Sequence, residues 1–130
     1  MNKKGKAMKK IILALLAVFL IVGAAWFLLW NGMERFKAVD IAKKNNANIA
    51  KVKIAMPKET ALKIMGRPEK TEVFSNGGQI IEFLFYRTKG FNFLPLDSQE
   101  NFTPIAIDYA SGIVINWDLR YYKEKAAPRQ

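Results

Sequence analysis

The chain has 130 residues, a net charge of +10, and neither histidine nor cysteine. That length holds one small domain. The missing residue types exclude thiol catalysis, disulfide stapling and lipid attachment through cysteine, and they remove the commonest general base and the usual zinc ligands.

Residues 1–10 carry Lys3, Lys4, Lys6, Lys9 and Lys10 and no acid. Ile11 to Trp30 follows as twenty residues without charge or proline, enough at 1.5 Å per residue to span roughly 30 Å of hydrocarbon. Gly23-Ala24-Ala25 offers small residues where a signal peptidase could cut. Against cleavage, Trp26 to Trp30 prolongs the apolar run and supplies tryptophans suited to an interfacial belt. The reading is an uncleaved anchor that meets the lipid bilayer through residues 11–30. Five lysines on one flank face Arg35, Lys37, Lys43 and Lys44 on the other, with Glu34 and Asp40 among them. The positive-inside rule puts the N-terminus in the cytoplasm and residues 31–130 outside. The remaining sixteen Lys and Arg against eleven acids leave only +5 beyond the tail. The basic balance thus reads as a topology signal plus a solvated surface, with no nucleic-acid partner.

Residues 31–51 read as a helical linker. A helix is expected from about Met33 to Lys44, with Asn45, Asn46 and Asn48 interrupting it; a flexible stalk is the alternative. Val52 to Pro68, VKIAMPKETALKIMGRP, opens on alternating apolar residues. Pro57 suits the first position of a helix, Glu59 complements its dipole, and Gly66 with Pro68 stops it. A helix this short needs a partner to pack against.

Beyond Pro68 the period changes to alternation. Lys70–Phe74 is a strand, Ser75-Asn76-Gly77-Gly78 a hairpin turn, and Gln79–Arg87 the return strand. Ile81, Phe83 and Phe85 line one face of it; Ile80, Glu82, Leu84 and Tyr86 line the other. A last hairpin runs from Thr103 to Tyr109 and from Ile113 to Trp117. Its expected inward set is Ile105, Ile107, Tyr109, Ile113, Ile115 and Trp117, opposite Ala106, Asp108, Val114 and Asn116. The loop 88–102 is long and apolar, with Phe91, Phe93, Leu94 and Leu96, and such loops are often binding loops. The polar tail from Arg120 is expected to fray. The fold class is α+β: an N-terminal transmembrane helix, then a short helix pair packed on a three- or four-stranded antiparallel meander. The expected segments are 1–10 tail, 11–30 anchor, 31–51 linker, 52–122 domain and 123–130 polar tail.

Little here suggests catalysis. Asp97 and Glu100 share the long loop, and paired carboxylates can do acid–base or calcium work, but no third oxygen ligand stands at a diagnostic spacing. Gly77-Gly78 lacks the lysine and hydroxyl of a phosphate loop. The expectation is no enzyme, no cofactor and no metal. Recognition is better supplied. Ile80, Leu84 and Tyr86 put apolar surface on the sheet face opposite the expected core, open to a partner or covered by the loop or tail. Phe91, Phe93 and Leu94 make a second candidate surface.

With helix and hairpins placed, the chain resembles the small SmpA/OmlA/BamE-like envelope proteins over about residues 45–120. Ile54-Ala55-Met56 takes the position of that family's lead, Pro57–Ile64 its helix and Met65-Gly66-Arg67-Pro68 its close. Glu82 to Tyr86 is similar to its acidic and aromatic strand, and Ile113 to Trp117 to its final one. Ala55 stands where glycine is usual, asking for a less demanding backbone turn, and the lipobox cysteine is missing. The resemblance implies a helix pair on an antiparallel sheet, shared with β-lactamase-inhibitor-like proteins, and a role without catalysis. The expected function is a membrane-anchored extracytoplasmic binding or scaffolding module with an envelope protein partner. The alternative is a protein inhibitor or ligand sensor acting through the apolar loop 90–96.

Overall fold

The computed structural model describes residues 3–90 and 92–127. A single helix, α1, runs Lys3–Ile49. The chain divides into two compact units between Glu34 and Arg35. In the first, Ile11 to Trp30 is long and apolar enough to cross a membrane, and its side chains are exposed throughout, Phe19 at 77% and Leu20 at 71%. The second unit, from Arg35, contains the last turns of α1, so residues 35–49 belong to the folded domain and not to a free linker. The asparagines expected to interrupt the helix do not. Asn45 Nδ2 donates to the Arg87 carbonyl at 2.8 Å and Asn46 Nδ2 to the Thr88 carbonyl at 2.7 Å. Side chains occupied in tertiary bonds no longer compete for their own backbone.

After α1 come α2 (Lys58–Met65), β1 (Lys70–Asn76), β2 (Gln79–Arg87), β3 (Phe102–Asp108), β4 (Ile113–Asn116) and α3 (Leu119–Ala126). The strands form one antiparallel sheet in the order β1-β2-β3-β4. The architecture is α+β with a four-stranded meander. The β1–β2 turn is centred on Gly77-Gly78, one residue later than the Asn-Gly pair suggests. Asn76 pairs with Gln79 and both glycines take positive φ, 61° and 85°, as a type I′ turn requires.

Both faces of the sheet are covered. On one, Val52 and the Ala61 and Met65 side of α2 pack on Leu84, Tyr86, Ile105, Ile107 and Val114. On the other, Tyr122 of α3 packs on Ile81, Phe83, Phe85 and Ala106, with Phe74 and Ile115 at the edge. This reverses the expected assignment: the short helix covers the Leu84 and Tyr86 face. The tail expected to fray is α3, and it covers the other face. Asp118 caps α3 by accepting from the Arg120 N–H at 2.9 Å, satisfying one of its unpaired donors. Tyr122 then stands edge-on to Phe83 and Phe85, with ring centroids 5.0 and 4.9 Å away, a favoured aromatic arrangement.

The last hairpin also departs from expectation. Asp108 pairs with Ile113 and Ile107 with Val114, so the turn sets odd positions opposite even ones. Opposed residues share a face, which places Val114 with Ile107. Ile115, next in the alternation, lies on the other side, and a register shift that pairs Ala106 with Asn116 returns Trp117 to the Ile107 face, the effect of a β-bulge.

The stretch before α2 has its own part. The Ala55 N–H donates to the Val114 carbonyl and the Val114 N–H to the Met56 carbonyl, each at 2.8 Å. These bonds cover the outer edge of β4, which would otherwise be open to pairing. To make them Ala55 adopts φ 69°, the only non-glycine in that region among the described residues. The turn is therefore as demanding as one built on glycine.

Candidate functional site

The loop between β2 and β3 is the feature of the domain least explained by core packing, and it is held firmly. At its centre Asn101 is 1% exposed. Its Nδ2 donates to the Pro95 carbonyl at 2.8 Å and its Oδ1 accepts from Asn92 Nδ2. Its backbone carbonyl receives the N–H groups of Thr88 and Lys89 at 2.9 and 3.1 Å. One asparagine thus ties both ends of the loop to its middle, using both halves of its amide.

Arg87 supplies the second fixture. It is buried, with Nη1 donating to the Leu96 carbonyl at 2.7 Å and Nε to Glu69 at 3.2 Å, while its guanidinium lies 4.6 Å from the Phe102 ring centroid. A planar cation suits this mixture of carbonyl, carboxylate and aromatic face, which a lysine could not match.

The third fixture is α1. Ala38, Ala42 and Asn45 are its buried residues, spaced four and three apart on one helix face. Gly90 lies against the backbone of Ala38 and Val39. Small residues on both sides allow this approach. Near the start of the same unit, Arg35 Nη1 donates to the Asn92 carbonyl at 3.3 Å. The loop is thus tied to the domain at several points, with its tip exposed. Phe93 is fully exposed, at 109%, and Leu94 is 39% exposed.

The expected site residues therefore separate. Leu84 and Tyr86 are core, 1% and 2% exposed. Tyr86 also donates its hydroxyl to the Gly66 carbonyl at 2.8 Å, which pins the end of α2. Neither offers surface to a partner. Ile80 is exposed but lies at the far end of β2 from the loop, seven residues from Arg87, or roughly 23 Å along a strand. Phe93 and Leu94 form the exposed tip, and Phe91 lies outside the described residues. The residues that build the mount, Asn101, Arg87, Gly90, Ala38 and Ala42, are not among the expected ones. Their one sequence signal is the spacing of Ala38 and Ala42, four apart on one face of α1.

Glu100 is paired with Lys123, and that bond holds its carboxyl below the ordinary range, a poor state for a general acid. Among the described residues no three candidate metal ligands come together. A cleft of about 70 Å³ between Lys70, Phe85, Asp97, Gln99 and Phe102 has room for a few waters and not for a metabolite. A wider hollow beside Phe74–Gly77 and Lys125–Ala127 is open and lacks the convergent apolar wall of a ligand pocket.

No curated protein and no solved structure matches the chain. Over residues 31–124, well over half its length, it matches the family described as protein of unknown function (DUF3192), and it belongs to that family.

Proposed function

We propose that the chain is a single-pass protein of the bacterial cytoplasmic membrane, with its N-terminus in the cytoplasm. Its domain from Arg35 onward stands outside and binds an envelope component without catalysis. The observation that carries the reading is a contrast within one chain. Large apolar side chains from Ile11 to Trp30 are exposed without interruption, while the sheet of the domain buries its apolar residues on both faces. The first pattern suits lipid; the second suits water. Five lysines ahead of the apolar run support the orientation. The likeness to SmpA/OmlA/BamE-like proteins supports a binding role, and the exposed Phe93–Leu94 tip is the surface best suited to it.

Membrane association is tested by washing isolated membranes at alkaline pH. The full chain should stay in the pellet until detergent is added, and deletion of residues 11–30 should release the domain. Recovery of the full chain in the wash would contradict the proposal.

A further inference from the structure

We propose that the outer edge of β1 pairs with the same edge of a second copy of this chain, continuing the antiparallel sheet across a two-fold axis. The proposal concerns the domain from Arg35 alone and does not rest on the membrane reading above.

The two edges of the sheet are unlike. The chain itself covers β4, through the bonds that Val114 makes with Ala55 and Met56. β1 is the other outer strand, and among the described residues no backbone group pairs with its outer side. The ladder tells which groups those are. The Tyr109 N–H donates to the Ile80 carbonyl, so even positions of β2 bond to β3 and odd ones, by alternation, to β1. Ile81, Phe83 and Phe85 stand opposite Phe74, Glu72 and Lys70. Thr71, Val73 and Ser75 therefore turn their N–H and C=O groups outward, an arrangement that an added strand satisfies.

Folded chains usually blunt such an edge with a proline, a bulge or a free charge. The register of Lys70–Asn76 is unbroken and contains no proline. Its two charges are bound to each other, Lys70 Nζ to Glu72 Oε1 at 2.5 Å. Val73, in its middle, is 55% exposed.

The edge is also complementary to itself. With Val73 opposite its own counterpart, Thr71 of each copy faces Ser75 of the other. Every outward donor and acceptor of the three residues is then matched. On the α2 side of the sheet, valine meets valine and hydroxyl meets hydroxyl, favourable cross-strand pairs. Other registers fail. A slip of one residue sets outward groups opposite groups already bonded to β2. A slip of two opposes Glu72 with its own counterpart, or carries Thr71 onto the turn at Gly77. A single strand is smaller than a standard interface of about 800 Å² per partner, so the dimer is reversible and is best read by trapping it.

The absence of cysteine makes the trap specific, because any introduced thiol is unique. Directly opposed residues of a hydrogen-bonded pair lie about 5.5 Å apart between Cα atoms, within disulfide range. Thr71 and its counterpart would be four residues apart along the strand, roughly 13 Å, and out of range. Full-length chains in mild detergent are treated with a gentle oxidant. Val73→Cys should form covalent dimer at least about tenfold faster than Thr71→Cys or Ser75→Cys alone, and than Ala110→Cys in the exposed β3–β4 turn. Mixing Thr71→Cys with Ser75→Cys chains should restore dimer. Adding Thr71→Lys and Ser75→Lys to Val73→Cys should reduce dimer to the level of Ala110→Cys, and Thr71→Lys with Ser75→Glu should recover it. Equal rates at all four positions, or no recovery by the charge-reversed pair, would overturn the proposal. Protection of the Val73→Cys thiol in cells without covalent dimer would assign the edge to a strand of another protein and overturn it too.

Discussion

A Cβ on Gly90 would stand 2.4 Å from the Val39 Cα. Backbone cannot yield as a side chain can, so the loop or the helix must move. Gly90→Ala should destabilise the domain by about 1–3 kcal/mol, the usual cost of overpacking, read as a lower thermal midpoint of the detergent-solubilised chain. An unchanged midpoint would mean that the loop is not held against α1.

Asn101 makes a second prediction of the same mount. Asn101→Ala removes the donor to Pro95 and the acceptor for Asn92, leaving buried polar groups unpaired at a cost of about 1–3 kcal/mol. Amide exchange at Thr88 and Lys89 should accelerate more than at Phe83, in the middle of β2. Uniform acceleration across the sheet would contradict a local role.

Ala55 tests the edge cover on β4. An L-residue in the left-handed region costs roughly 1–2 kcal/mol, and glycine gives back about 0.4–1 through the unfolded chain. Ala55→Gly should therefore raise stability by about 0.5–1 kcal/mol, and Ala55→Val should lower it. A less stable Ala55→Gly would show that the strain is absent.

Tyr86 sets an alkaline limit. Burial pushes its phenol up to about 12, against an ordinary value near 10. The unfolded chain releases this proton first, so the contribution is complete below about pH 10 and is lost as pH rises from there towards 12. Tyr86→Phe loses the bond to Gly66, costing about 1 kcal/mol at neutral pH, but its stability should fall less steeply between about pH 10 and 12. Tyr122, pushed to about 12 by burial and then by its bond to Glu72, keeps its contribution in the variant. Parallel declines of parent and variant would refute the assignment.

How far the sequence reveals this molecule depends on the element. The period-2 alternation of Gln79–Arg87 and the stop at Gly66 and Pro68 gave strand and helix nearly to the residue, because both signals are local. Which sheet face meets which helix is not local. Leu84 and Phe85 are equally apolar, and their cover is decided by α3, whose eight residues include Arg120, Lys123, Glu124 and Lys125 and so resemble a polar tail. The β3–β4 turn sets odd positions opposite even ones, and the bulge restores the earlier parity only at Asn116, neither of which the alternation alone announces. The mount of the loop was hidden for another reason: Ala38, Ala42 and Gly90 act by being small, which leaves little trace in a hydrophobic pattern. Phe93 and Leu94 are legible as apolar loop residues from composition alone, and the hydrogen bonds of Asn101 and Arg87 account for the path of the loop that carries them.

In the proposed topology the membrane divides the chain, with the lysine-rich end inside and the folded domain outside. Lys4→Cys and Ala110→Cys, each the sole thiol in its chain, can be exposed to a membrane-impermeant maleimide in intact bacterial spheroplasts. Ala110→Cys should react fully and Lys4→Cys only after lysis. The reverse pattern, or protection of both until lysis, would contradict the account.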